Sequence, residues 1–173
     1  MHRLFGSLLV GATLCTTLPV QAQTAPARVS TVQVAALVEA LRQAAPKTGI
    51  ANDGLYSEWQ VMPGNIPRWS RSCIGRELTP AQFEASPATA RNVLTCVMRD
   101  VLQDEYRVSG NESVAVRRAA AWWMTGDSDR YNSAQTATYT QQVLSYYQQA
   151  RSNSNRPANS QSSSSQPRTT TQP

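Results

Sequence analysis

Residues 53–73 read DGLYSEWQVMPGNIPRWSRSC, and most of the chain's candidate chemistry is concentrated there. Glu58 is a carboxyl that can carry a proton. Gln60 offers both a donor and an acceptor. Tyr56, Trp59 and Trp69 offer flat aromatic faces, although each Trp would serve equally well as a plug in a core. Cys73 closes the stretch, and Cys96 follows it. The stretch is too irregular for a helix, too rich in Pro and Gly for a central strand, and too aromatic for an idle solvent loop.

The start of the chain limits this chemistry. Residues 1–22 hold Arg3, an apolar run from Leu4 to Leu18, and the small-x-small sequence Val20-Gln21-Ala22. That pattern predicts a signal peptide cleaved near Ala22 and a secreted or periplasmic product. The apolar run is about 15 residues, short of the roughly 20 that span a bilayer, and no other segment is apolar enough to do so. Cleavage removes Cys15 and His2, the single histidine. The mature chain then has no triad, no Cys-His dyad and no His metal site. No metal or cofactor is expected. Any acid–base work falls to carboxylates.

The two remaining cysteines, Cys73 and Cys96, are expected to pair, as an even count in an exported chain implies. The loop closed is roughly 24 residues, worth about 3.4 kcal/mol in the chain-entropy model.

Charge is uninformative about partners. The formal net charge is +5. Removing Arg3 and the tail residues Arg151, Arg156 and Arg168 leaves 12 basic residues against 11 acidic ones. Residues 23–150 are close to neutral, with no basic stripe for nucleic acid.

Helical patterns must position the loop. Ser30 and Gln33 form a capping box before Val34, Leu37, Val38 and Leu41, and Pro46 stops that helix. Thr79 with Pro80, and Ser86 with Pro87, open two more helices. The second carries Val93, Leu94, Val97, Val101 and Leu102 and ends at Gly110. Asn111 and Gly126 bracket a helix containing Trp122 and Trp123. These point about 100° apart, so one at least is expected in the core. A last helix carries Tyr139, Val143, Tyr146 and Tyr147. No run alternates like a strand, so the domain over 23–150 is expected to be all-α. Residues 151–173 have almost no apolar residues and no acids. They are expected to form a disordered tail.

The order of these segments resembles the lysozyme-like lytic transglycosylase superfamily. Gly54, Tyr56, Gln60, Met62 and Pro63 are similar to that family's Gly/Tyr, Gln and Pro loop. The phrases ELTPAQFEASPATARNVLTCVMRDVL, RRAAAWWMTGDSDRYN and TYTQQVLSYYQQ resemble its later helices. The likeness covers roughly residues 32–149. It implies a lysozyme-like helical domain with a glycan cleft, floored by the aromatic loop. Tyr56, Trp59 and Trp69 would stack on sugars, and Gln60 would hydrogen-bond an N-acetyl group.

The family's chemistry is one catalytic Glu at the end of the first long helix, kept protonated by apolar walls. Here the family's Glu-Ser pair falls on Ala45 and Pro46. The family's Tyr-Asn pair falls on Trp123 and Met124. Both key positions have lost their polar groups. Glu58 is the best relocated acid; Asp53 reads as a turn former and Glu39 as a solvated helix residue. No pair of carboxylates suited to a hydrolase is apparent.

Three readings follow. The chain binds peptidoglycan or a related glycan without cleaving it. Or it is an active transglycosylase that uses Glu58. Or it is a small exported helical protein with a structural or partner-binding role.

Overall fold

The computed structural model describes residues 28–48 and 53–154. The expected signal peptide lies outside them, as does all of the expected tail beyond Ser154. Among the described residues the chain is all-α: α1 Thr31–Ala44, α2 Ile66–Ile74, α3 Pro80–Glu84, α4 Pro87–Ser109, α5 Glu112–Thr125 and α6 Ala137–Ser154. A short 3-10 helix, Ser128–Asn132, joins α5 to α6. No described helix is long and apolar enough to cross a membrane.

The caps form as their residues dictate. The Ser30 hydroxyl accepts from Gln33 N–H, and the Gln33 side chain returns a bond to Ser30 N–H. Thr79 and Gln82 repeat the device before α3. Asn111 Oδ1 accepts from Val114 N–H at 3.0 Å to open α5. Gly110 and Gly126 end α4 and α5 in the left-handed region, which costs glycine nothing.

α1 packs chiefly on α6, and α4 on α5. Val34, Leu37, Val38 and Leu41 meet Val93, Leu94, Met98 and Leu102 in one core. α5 contributes Ala115, Val116, Ala119 and Ala120, all fully buried. Such small side chains let neighbouring helices approach closely.

Two expectations need correction. The aromatic stretch is not wholly irregular, because its second half is α2. Pro67 sits in the first turn, where a missing N–H costs nothing, and Gly75 closes the helix at φ 73°. Trp69 and Cys73 therefore sit on a helix. The last helix also runs four residues beyond the expected boundary at 150. There Ser152 and Ser154 bond back to the carbonyls of Gln148 and Ala150.

Cys73 and Cys96 are joined, with Cα atoms 5.9 Å apart, and the bond fastens α2 to the middle of α4. Ser70 adds a second tie: its buried hydroxyl donates to Ile66 O and accepts from Leu78 N–H.

Candidate functional site

The first half of the aromatic stretch is a tight reversal. Tyr56 and Val61 exchange both backbone bonds, at 3.0 and 2.8 Å. Between them, Ser57 and Gln60 have φ of 64° and 58°. That left-handed region is costly for side chains other than glycine, about 1–3 kcal/mol per residue. Four contacts hold the turn: the bridge, Gln60 N–H donating to Ser57 O at 3.0 Å, Glu84 accepting from Ser57 N–H, and burial of Trp59.

Trp59 is 2% exposed. Its indole N–H donates to Val38 O at 2.7 Å, and the Arg91 guanidinium lies 5.1 Å from its ring centre. At that exposure little of the ring is open to a sugar, although Trp59 does reach the wall of the cavity that holds Gln60. The expected stacking role is corrected to that of a core plug beneath the turn.

Gln60 lands in a cavity of about 750 Å3 between the end of α1, the turn, α5 and α6. Ala45, Trp59, Trp123, Tyr139 and Tyr146 share its wall, and none of the described residues lining it is acidic. Gln60 Nε2 donates to Ser57 O at 3.3 Å, while its Oε1 is buried with no partner. Burial pushes the Tyr139 phenol above its usual range. The cavity therefore combines aromatic walls with the polar side chains of Gln43, Lys47, Gln60 and Gln142. That is the usual make-up of a ligand site.

A second, polar cavity of about 380 Å3 adjoins the first through Ala45, Pro46, Lys47, Leu55 and Gln60. It is also lined by Arg42, Asp53, Glu58 and Glu84. Glu58 is 54% exposed and pairs with Arg42 at 2.9 Å. A general acid needs apolar walls to keep its proton, and Glu58 has a guanidinium and solvent instead. Asp53 is a turn former: it accepts from Thr48 Oγ1 and Leu55 N–H.

Glu39 was expected to be a solvated helix residue, but it is a hub. Arg42, Gln43 and Arg91 all donate to its carboxylate. The Arg42 hydrogen bonds lead in holding its pKa at about 2, against an opposing effect of burial. Such a group is ionised at every physiological pH and cannot be a proton donor. The folded value lies below the ordinary 4.5, so the hub stabilises fully above that pH and its contribution is lost as pH falls toward about 2. Wild-type protein should lose stability over that range more steeply than Glu39→Gln. Parallel denaturation midpoints for the two proteins would contradict this.

Two further sequence expectations move. Tyr56 packs against the core and lines neither cavity. Trp69 faces a third cavity, of about 480 Å3, rather than the one holding Gln60. There its ring meets Trp122 at 6.1 Å and Trp123 at 5.7 Å between centroids. Neither Trp122 nor Trp123 is fully buried; both pack half-exposed against the core. The resemblance had marked the Trp123 position as part of the site, whereas nothing in the sequence assigned Tyr139 and Tyr146 to it. The Trp pair and the Tyr-rich face of the last helix were visible signals, but their meeting with Gln60 is a tertiary fact.

No family model, curated protein or solved structure matches the chain.

Proposed function

We propose that the chain is an exported glycan-binding protein of lysozyme-like descent, which holds peptidoglycan or a related N-acetylated glycan without cleaving it. One observation carries this reading. At the end of α1, where the resemblance puts a catalytic Glu, Ala45 lines a large aromatic cavity beside Gln60, and that cavity has no acidic lining residue. The adjoining cavity, which Ala45 also lines, holds Asp53, Glu58 and Glu84; Glu58 is paired with Arg42, and Asp53 and Glu84 accept hydrogen bonds from the turn segment. Binding would rest on aromatic walls and on Gln60, whose partnerless Oε1 is buried and would have to turn into the cavity to accept from an acetamido N–H. The disulfide agrees with export, since such bonds persist in oxidising compartments.

The second reading, an active transglycosylase, draws on Glu58, which lines the adjoining polar cavity. Substrate-assisted attack would need only that one acid, but its pairing with Arg42 speaks against the role.

Gln60 provides the test, because fold and function pull in opposite directions there. Gln60→Gly removes left-handed strain and should raise stability by about 1 kcal/mol. It should also weaken binding of N-acetylated chitooligosaccharide about fivefold or more, as loss of a buried hydrogen bond does. Calorimetry of both proteins reads both effects. Unchanged oligosaccharide affinity would remove Gln60 from the site, and no wild-type binding at all would reject the glycan reading.

A further inference from the structure

The third cavity lies between α2 and the end of α5, and it holds features the glycan reading does not use. Its walls are Trp69, Trp122 and Trp123. Its lips are Met62 and Met124, which are 64% and 52% exposed. Exposed large apolar side chains beside half-buried indoles leave apolar surface in water, which a flat apolar body would cover.

Arg68 is the one charged side chain among its lining residues. It makes no ion pair among the described residues. Its guanidinium is tethered instead: Nη2 donates to Asn65 Oδ1 at 2.9 Å. Asn65 stands at the N-cap of α2 yet makes no capping bond with its side chain. Pro67 in the first turn removes one of the N–H groups it would otherwise cap. The side chain is thus free to hold Arg68 at the cavity, and the guanidinium keeps other N–H donors.

We propose that this cavity is a second ligand site, for a small apolar anion: a flat aromatic body carrying one carboxylate. The indoles, packed on one another, supply an aromatic wall, and the two methionines adapt to what lies against it. Arg68 pairs with the carboxylate, a geometry that a planar guanidinium matches with two parallel bonds. No acidic residue lines the cavity, so an anion meets no like charge, whereas a cation would meet Arg68. At about 480 Å3 the space lies within the range of small-molecule sites. The cavity shares Met62, Trp123 and Met124 with the one holding Gln60, but neither Ala45 nor Gln60. The inference does not depend on glycan binding.

NMR of the indole N–H groups in the oxidised, full-length protein tests this directly. The probes are naphthoate and its neutral counterpart naphthalenemethanol. Trp59 is the internal control, because its N–H is committed to Val38 O inside the core. Naphthoate should shift the Trp69, Trp122 and Trp123 signals saturably and leave Trp59 in place. Arg68→Gln should weaken naphthoate about fivefold, as loss of a charge-assisted bond would, and leave the neutral probe within about twofold. Arg68 is exposed, so the substitution spares the fold. Absence of saturable shifts up to about 1 mM, a very weak affinity, overturns the proposal. So does a Trp59 shift as large as the others, or a naphthoate affinity indifferent to Arg68→Gln.

Discussion

Trp59→Ala lowers the unfolding free energy by about 3–5 kcal/mol, the usual cost of deleting a buried aromatic side chain. The ring is 2% exposed, so nearly all of it leaves a void. Its hydrogen bond to Val38 O is lost, and so is the surface under the Arg91 guanidinium. The damage also spreads along the turn. Trp59 is one of four contacts that hold Ser57 and Gln60 at positive φ, and without it the strain favours opening. Urea denaturation measures the loss. A cost below about 1 kcal/mol would mean that the indole is a surface ring, available to a ligand after all.

Loss of the Cys73–Cys96 bond comes next in size, at about 3 kcal/mol. The bond spans 23 residues and fastens α2 to α4. α2 is nine residues long, and only Ile66 and Ser70 of it are buried. Helices this short are not stable alone. The double variant Cys73→Ser/Cys96→Ser should therefore loosen α2 before the core helices, with faster amide exchange at Trp69 and its neighbours. An unchanged melting temperature would show that the Ser70 ties suffice.

Helix order and ends were legible in the sequence wherever local chemistry decides them. Ser30 with Gln33, Thr79 ahead of Pro80, and the two glycines at 110 and 126 each mark an end through local chemistry within a few residues. α2 escaped because its start and stop signals, Pro67 and Gly75, lie inside a segment dominated by turn residues. The site was legible only in part. Gln60 and Ala45 do share a cavity, and both positions were singled out by the resemblance. Trp59 and Trp69 look alike in sequence, yet one is sealed under Arg91 and the other opens on a separate cavity. Burial of a single aromatic depends on how α1, α4 and α5 close around it, and no local pattern encodes that. The Glu39 hub depends likewise on Arg91, 52 residues away.

Incubation of the oxidised protein with purified peptidoglycan sacculi bears most directly on binding without cleavage. Protein is measured in the pellet, and released muropeptides are measured in the supernatant. Wild type should pellet with the sacculi and release no anhydro-muropeptides, and Glu58→Gln should behave the same. Release by the wild type that falls about 10²-fold or more in Glu58→Gln, the scale of general acid catalysis, would contradict this and make the chain a transglycosylase. Protein that stays in the supernatant and releases nothing would contradict it too, leaving a structural role for the fold.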